Sequence, residues 1–340
     1  MDSPETNAMH ATAAPNELPA VTVIDITDPT CAGEGVEMVD MDAVKLEPGG
    51  FLARRVIVRT GVASLLFHST NRRVRTRTRS REGLNSYAFF GPGAQGSING
   101  IPVRPGLVLA IAPEVELQVV VHESWETVTF FLPPALVRTQ LAVRQRDDPF
   151  LMPQEVEILD VPVEAAQALF AWGKALVETS VAQADLFNAN RDGLRVIEVD
   201  LIERLLATIA QASSHALEPG DRRLQRRSAI VECVERFALA QAGLGHNLYV
   251  GDLCKAAGVS ERTLEYAFRE VMGMTPVAFL IQLRLHRVRQ ALLAAGPGST
   301  LVSTMALRWG FWHFGEFAQA YRRCFGELPS DTLGGQRAIK

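Results

Sequence analysis

The 340-residue sequence contains no long apolar run of the kind that forms a membrane-spanning helix. Such a helix needs about 20 consecutive, mostly apolar residues. Residues 1–19 also lack a basic segment followed by an apolar one, which is the mark of a secretory signal. We therefore expect a cytoplasmic chain without a membrane partner, with a disordered leader at 1–19.

Cysteine is scarce, and the motifs of common enzymes are missing. The four cysteines, Cys31, Cys233, Cys254 and Cys324, include no CxxC pair. Scattered cysteines are typical of reduced, structural thiols. No GxSxG, Walker-type or dinucleotide-binding glycine motif occurs, and no His-x-His is followed by Glu. The sequence thus predicts no catalytic residue, no cofactor and no metal ligand.

Positive charge is not in excess overall, since the net charge is −4, but it is unevenly distributed. Residues 228–340 hold 12 Lys and Arg against 9 Asp and Glu, so the C-terminal third is mildly basic and the remainder is acidic. A basic module attached to an acidic body suits nucleic-acid binding by one region of the chain.

The N-terminal region, from about Val21 to Leu132, has a strand-like pattern. Its β-rich runs are Val21–Ile24, Val56–Val58, Leu107–Ile111, Val119–Val121 and Val128–Phe131. Short strands separated by turn formers predict a β-barrel or sandwich. Within Ser97–Pro102, the Asn99-Gly100 pair favours the positive φ angles of a type I′ hairpin.

Arginines alternate with other residues between positions 73 and 81. If the segment is a strand, they all face one side. One interpretation is a solvated face or loop. The other is a guanidinium surface, formed by Arg73, Arg75, Arg77 and Arg79, that binds an acidic effector or a partner's carboxylates.

After Pro133-Pro134 the pattern becomes helical. An apolar stripe recurs at three- and four-residue steps and consists of Leu194, Ile197, Leu201, Leu205 and Ile209. The stripe either packs internally or forms a dimer seam, and we favour the seam. Residues 217–227 contain Pro, Gly and four arginines and are expected to form an interdomain linker.

The C-terminal region contains an internal repeat. The matching positions are Gly258, Leu264, Phe268 and Gly273 in the first copy, and Gly310, Phe317, Tyr321 and Gly326 in the second. Each copy has the pattern of helix, tight turn and helix, and Ser260 is placed to cap the second helix of the first copy.

A single helix from Pro276 to the residues before Gly296 is predicted between the copies. It would be about 27 Å long, at roughly 1.5 Å per residue. With its flanking turns, it would separate two DNA-reading helices by about one turn of DNA, roughly 34 Å. Duplex DNA is the target that this spacing favours.

These segments resemble the DNA-binding domain of the AraC/XylS family of transcription regulators. The resemblance lies in Ser260–Gly273, in Arg284-Leu285 followed by Ala291-Leu292-Leu293, and in Ala306–Pro329. The segments GFWHFGEF and FGELPSDTL are similar to a branch that regulates aromatic-acid and amine catabolism. The match covers Ser228–Leu333, and the order of elements before it resembles the family's cupin-like regulatory domain and dimerisation helices.

The resemblance implies which residues would meet DNA. In the first unit these are Ser260, Arg262, Thr263, Glu265, Tyr266 and Arg269. In the second they are Trp312, His313, Gly315, Glu316, Gln319, Arg322 and Arg323. Arg262 suits guanine, Gln319 suits adenine, and either Glu265 or Glu316 suits cytosine. Trp312 has a second interpretation, packing on a neighbouring helix.

The expected fold is therefore α+β and multidomain. Its parts are a leader (1–19), a cupin-like β domain (20–135), a helical dimerisation region (136–216), a linker (217–227), an all-α domain of two helix-turn-helix units joined by a helix (228–335) and a tail (336–340).

The expected function is a DNA-binding transcription regulator, an activator by its resemblance, that is controlled by a small-molecule effector. Its implied partners are promoter DNA, RNA polymerase, an effector of acidic character and a second copy of the chain. The alternatives are a metal-free cupin-like enzyme and an architectural DNA binder without an effector. The size of the N-terminal region argues against the architectural role, because such a role needs no large additional domain.

Overall fold

A computed structural model describes residues 18–144, 149–241, 248–295 and 300–335. Most of the expected leader (1–17) and all of the expected tail (336–340) lie outside the described residues. Across the part of the chain that is described, no helix is both long enough and apolar enough to cross a membrane.

Two antiparallel β-sheets form the N-terminal domain. The strands are β1 (Val21–Ile26), β2 (Val39–Lys45), β3 (Ala53–Arg59), β4 (Ser64–Thr70), β5 (Val74–Ser80), β6 (Asn85–Phe90), β7 (Gly96–Ile98), β8 (Ile101–Pro102), β9 (Leu107–Ile111), β10 (Glu116–Val121), β11 (Trp125–Leu132), β12 (Val156–Asp160) and β13 (Ser213–Ser214). The eight-stranded sheet has the order β1-β3-β4-β11-β6-β9-β12-β13, and the five-stranded sheet has the order β2-β5-β10-β7-β8. Each run predicted as a strand lies within one of these strands, and the two sheets do not close into a barrel.

The predicted hairpin joins β7 to β8. Asn99 and Gly100 both have positive φ angles, 49° and 81°, as a type I′ turn requires. The arginine-rich segment is also a strand, β5, which settles the choice between strand and loop.

Four helices cover the outer face of the eight-stranded sheet. They are α1 (Pro134–Val143), α2 (Val163–Ala182), α3 (Ala184–Ala189) and α4 (Arg191–Ile209). The sheet is covered on both faces, so the apolar strand β9 is buried at every position rather than at alternate ones.

The apolar stripe on α4 packs inside its own domain, which corrects the expectation of a dimer seam there. Leu201, Leu205 and Ile209 have no exposed surface, and Leu194 is 8% exposed. All of them belong to the core that α2 and α4 form with the eight-stranded sheet. Helical periodicity identified the buried face of the helix but not what buries it.

The C-terminal domain is all-helical in its described residues. Its helices are α5 (Pro219–Gln241), α6 (Val250–Ala257), α7 (Glu261–Met272), α8 (Pro276–Ala294), α9 (Val302–Arg308), α10 (Phe314–Phe325) and α11 (Pro329–Leu333). The pairs α6–α7 and α9–α10 are the two predicted helix-turn-helix units, and α8 is the predicted connecting helix. The Thr275 hydroxyl caps α8 by accepting from the Ala278 backbone N–H, and Pro276 occupies the first turn.

The segment expected to be a linker, residues 217–227, is instead mostly the beginning of α5. Its Pro and Gly fall in the first turn, where proline needs no hydrogen-bond partner, and its arginines are good helix formers. The Gly100 turn lies directly against this helix. A Cβ at Gly100 would lie 2.6 Å from the Leu224 carbonyl oxygen, so only glycine fits there.

The C-terminal domain packs on the outer face of the five-stranded sheet. Val44 and Val120 of that sheet, with Leu46 just after β2, share one apolar cluster with Val231 of α5 and with Phe268 of α7 in the first helix-turn-helix unit. The two domains are therefore joined by a common core as well as by the chain.

A buried ion pair crosses this junction. Arg75 of β5 lies 3.1 Å from Glu235 of α5, and their side chains are 1% and 3% exposed. Arg75 also donates to the Gln118 side chain on β10. Outside the junction's core, Arg104 donates to both carboxylate oxygens of Asp221 in the first turn of α5.

A second set of contacts holds α8. Arg287 and Gln290 of α8 both donate to Asp42 of β2. Arg289 pairs with Asp28, which caps a 3₁₀ turn, Pro29–Cys31, before β2. Burial is the largest single influence on the pKa of Arg289 and lowers it, but Asp28, Tyr321 and Glu327 together outweigh burial and raise the pKa above its ordinary value.

The Lys45–His286 contact adds to this set. The Lys45 backbone N–H donates to His286 Nε2 at 3.1 Å, and the Lys45 ammonium donates to the carbonyl oxygens of Gly49 and Cys324. Burial lowers the pKa of His286 to about 3, so the imidazole is neutral and can accept this bond.

Glu235→Ala should destabilise the protein strongly, because it leaves the Arg75 guanidinium buried without a carboxylate. We expect a loss of about 3–5 kcal/mol in the free energy of unfolding. Urea unfolding of the full chain measures it, and the double variant Arg75→Met/Glu235→Leu should recover most of the loss.

Glu232→Ala is the matched control, since Glu232 lies one turn earlier on α5 and pairs with the exposed Arg236. It should change the stability by less than about 0.5 kcal/mol. Equal stability of Glu235→Ala and the parent chain would refute the importance of the buried pair.

Candidate DNA-binding interface and N-terminal cavity

The first helix-turn-helix unit has a well-defined turn. Gly258 ends α6 in the left-handed conformation, with φ of 64°. Ser260 then caps α7, as predicted, because its hydroxyl accepts from the Thr263 backbone N–H at 3.3 Å. The first turn of α7 also contains Glu261, whose negative charge stabilises the helix because the N-terminal end of the helix dipole is positive.

The predicted DNA-facing residues of α7 share one face. Ser260, Arg262, Thr263, Tyr266 and Arg269 are exposed, and Glu265 is half-buried. The Arg262 guanidinium lies 5.5 Å from the centre of the Tyr266 ring, and Arg269 pairs with Glu265 at 3.2 Å. The opposite face, with Leu264 and Phe268, has no exposed surface. The helix is thus anchored by its apolar face and presents charge and an aromatic ring to solvent.

The second unit differs at its turn. Helix α10 begins at Phe314, so Trp312 and His313 lie before the helix rather than on it, and His313 is the residue at the cap position. Trp312 is 55% exposed, so most of its surface is not packed on a neighbouring helix. Glu316 lies in the first turn, where a negative charge stabilises the helix.

The remaining predicted residues of α10 are exposed as well. They are Gly315, Gln319, Arg322 and Arg323. A Cβ added at Gly315 would meet nothing within 4 Å, so this glycine leaves open space in the first turn. Phe314, which is not among the predicted DNA-facing residues, is 45% exposed beside it. Its neighbour by helical spacing, Phe317, is buried, so periodicity offered no signal that Phe314 would be exposed.

A cavity lies between the two sheets of the N-terminal domain. Its volume is about 120 Å³, and apolar side chains of both sheets line most of it, among them Leu66, Ala88, Leu109 and Val119. The polar groups in its wall include Arg55 of β3 and His68 of β4. These two residues are paired across neighbouring strands.

Arg55 and His68 form the polar end of the cavity. Arg55 is 2% exposed, and its Nε lies 3.4 Å from His68 Nδ1. Burial, followed by the nearby Arg55 charge, lowers the pKa of His68 to about 3, so the imidazole is neutral. Burial lowers the pKa of Arg55 to about 10, and its guanidinium stays charged at neutral pH.

The predicted effector residues do not line this cavity. Thr76, Thr78 and Ser80 of β5 face it, and side chains alternate along a strand, so the intervening arginines face the other way. Arg75 pairs with Glu235, Arg77 pairs with Asp42, and Arg73 donates to the Val271 carbonyl oxygen of α7. Arg79 is exposed. The strand arginines thus mostly meet groups of their own chain.

Comparison with known proteins assigns the helical region. Residues 253–334 match a family model described as a helix-turn-helix domain. The "Probable thc operon regulatory protein" of Rhodococcus erythropolis is 31% identical over 140 residues, 41% of this chain and 41% of that protein. The "XylDLEGF operon transcriptional activator 1" of Pseudomonas putida is 38% identical over 93 residues, 27% of this chain and 28% of that protein.

The C-terminal domain belongs to the AraC/XylS family. The chain spans less than half the length of the two curated relatives, so the assignment concerns this domain. A solved structure, that of the AraC-like transcriptional activator CuxR, covers 84% of this chain and 100% of its own, with a TM-score of 0.39 and 14% identity.

Within the AraC/XylS-type domain, α7 and α10 are the second helices of their units. Second helices of helix-turn-helix units are the ones that enter the major groove. In this chain, α7 and α10 are joined through α8, whose 19 residues span about 28 Å at roughly 1.5 Å per residue.

Arg262→Ala should weaken binding to a specific DNA site by about 1–3 kcal/mol and relax the preference at one base pair. The reason is that Arg262 is exposed on α7 and held in place by Tyr266. Competition binding with a set of singly substituted sites measures both effects.

Arg236→Ala, which removes an exposed arginine on α5, is the control and should leave affinity and preference unchanged. An unchanged base preference in Arg262→Ala would remove Arg262 from the set of base-reading residues.

Proposed function

We propose that this chain is a sequence-specific transcription regulator that reads promoter DNA with α7 and α10 and responds to a small-molecule effector in its N-terminal cavity. The observation that carries the proposal is the exposure of both second helices on the two sides of α8. Arg262 suits guanine, Gln319 suits adenine, and Arg322 and Arg323 suit backbone phosphates.

The junction between the domains supports regulation. Asp42 and Asp28 hold α8, which sets the separation of the two DNA-reading helices. Arg75, on the strand whose other face lines the cavity, holds α5. An effector that changes the N-terminal domain therefore acts on the elements that position α7 and α10.

The names of the Pseudomonas putida relatives favour activation over repression. Our proposal accordingly includes contact with RNA polymerase at the promoter and action in the cytoplasm.

The test is a salt titration of DNA binding with the purified full chain. It compares duplex DNA from the upstream intergenic region with a scrambled duplex. The regulator function requires tighter binding to the upstream DNA and a steep fall in affinity with salt. Equal, weak binding to both duplexes would overturn it.

Arg322→Ala should weaken binding to both duplexes by a similar factor and flatten the log–log salt dependence by about 1, because a phosphate contact carries no sequence information. Arg138→Ala removes an exposed arginine from α1 of the N-terminal domain and should leave the slope unchanged. A loss confined to the specific duplex would instead make Arg322 a base-reading residue.

We also propose a homodimer, with a seam different from the apolar stripe of α4. Val196 and Val199 lie on the other face of α4 and are 71% and 60% exposed, and Leu186 of α3 is 57% exposed. Three-residue spacing places the two valines side by side on the helix. A dimer would present paired binding units to two half-sites and increase affinity.

Val199→Lys should convert the dimer to monomer, since it places a charge in the proposed apolar contact. Sedimentation at micromolar concentration measures the change. Val143→Lys, at an equally exposed valine on α1, should leave the dimer intact. A monomeric parent chain, or a Val199→Lys variant that remains dimeric, would contradict the proposed seam.

A further inference from the structure

Arg55 is a buried cation without a nearby anion. Its guanidinium donates to the Ala32 carbonyl oxygen and to Met41 Sδ, and its Nε points to the neutral His68. Among the described residues, no Asp or Glu forms an ion pair with it. Burial is the sole cause of its lowered pKa, as it is for the half-buried Arg284, whereas the buried Arg75 and Arg289 have carboxylate partners.

Such a charge is costly unless something neutralises it. The cavity beside Arg55 can hold a neutralising ligand, because its volume of about 120 Å³ is near that of cavities that accept one six-membered ring. Its walls beyond Arg55 and His68 are largely apolar, and this composition selects a ligand with an apolar body.

A second polar group in the cavity also lacks a partner. The Ser86 hydroxyl is buried, lines the cavity and has no hydrogen-bond partner in the described structure. Ser86 lies four residues along β6 from Phe90, the residue in register with Arg55 and His68 across the sheet. Four residues of a strand span about 13 Å, so Ser86 marks the opposite end of the cavity.

We propose that the cavity binds a small carboxylate with an apolar body, and that the carboxylate pairs with Arg55. This inference rests on the proposed function in one respect, the assignment of the cavity as the effector site. The carboxylate supplies the negative charge that Arg55 lacks. The neutral His68, whose Nδ1 faces Arg55, has its proton on Nε2. The apolar body then fills the space between Leu66, Ala88 and Leu109.

The Ala32 contact connects this site to the DNA-binding domain. Ala32 directly follows the 3₁₀ turn Pro29–Cys31, and Asp28 at the start of that turn holds Arg289 of α8. A carboxylate that binds the Arg55 guanidinium competes with the Ala32 carbonyl oxygen for the same donors. Ligand binding therefore releases the Ala32 end of the five-residue segment 28–32. The other end of this segment, Asp28, pairs with Arg289 of α8.

The binding test uses hexanoate, and hexanamide as its uncharged counterpart, with calorimetry on the full chain in the absence of DNA. Hexanoate should bind, and hexanamide should bind about 10- to 100-fold more weakly, because it loses the charge-assisted contact. In Arg55→Gln, the affinity for hexanoate should fall by the same factor, so that hexanoate binds no better than hexanamide. Arg54→Gln, at the exposed neighbouring position on β3, should bind hexanoate as the parent chain does.

Ala88→Leu provides a second variant if Arg55→Gln does not fold. It fills the middle of the cavity and leaves Arg55 in place, so it should abolish binding of both compounds. Equal binding of hexanoate and hexanamide to the parent chain would overturn the proposal. Hexanoate binding that survives Ala88→Leu would overturn it as well, because the ligand would then lie elsewhere.

Hydrogen exchange tests the connection to α8. Hexanoate should change protection of both residues 28–32 and α8 in the parent chain, but only of residues 28–32 in Asp28→Asn. An unchanged α8 in the parent chain, or an unaltered response of α8 in Asp28→Asn, would refute the connection. Neither readout uses DNA, so failure here and failure to bind promoter DNA are separate results.

Discussion

Taking a guanidinium out of water costs several kcal/mol unless a carboxylate lies beside it. This constraint explains how the two domains of the chain are held together. Arg75 can be buried in the junction because it pairs with Glu235, and Arg289 can be buried because it pairs with Asp28 and Glu327. Arg55 is buried without such a carboxylate, and it lines the cavity between the two sheets.

Strand β5 connects two environments because its side chains alternate. Thr76 and Thr78 face the space between the sheets, whereas Arg75 pairs with Glu235 of the other domain and Arg77 pairs with Asp42 on the neighbouring strand β2. One strand therefore contacts both the cavity and the junction with the C-terminal domain. Asp28 and Asp42 extend these contacts to α8, the helix that joins the two helix-turn-helix units.

Much of the architecture could be predicted from local signals. The strand runs, the Asn99-Gly100 hairpin, the cap at Ser260 and the extent of α8 all depend on residues close together in the chain, and the structure confirms them. The partners of buried faces could not be predicted, because burial depends on contacts that are distant in sequence. The stripe that includes Leu201 therefore proved to be domain core, and nothing local distinguished the buried Arg55 from the exposed Arg54 beside it on β3.

The shared apolar cluster at the junction limits how such a chain can be recombined. Val44, Leu46 and Val120 complete the core of the first helix-turn-helix unit from the other domain. A DNA-binding cassette cut out at α5 would leave that core open to water. Gene fusions that exchange the N-terminal domain on this framework must therefore supply a matching apolar surface, and evolution by simple domain shuffling is constrained accordingly.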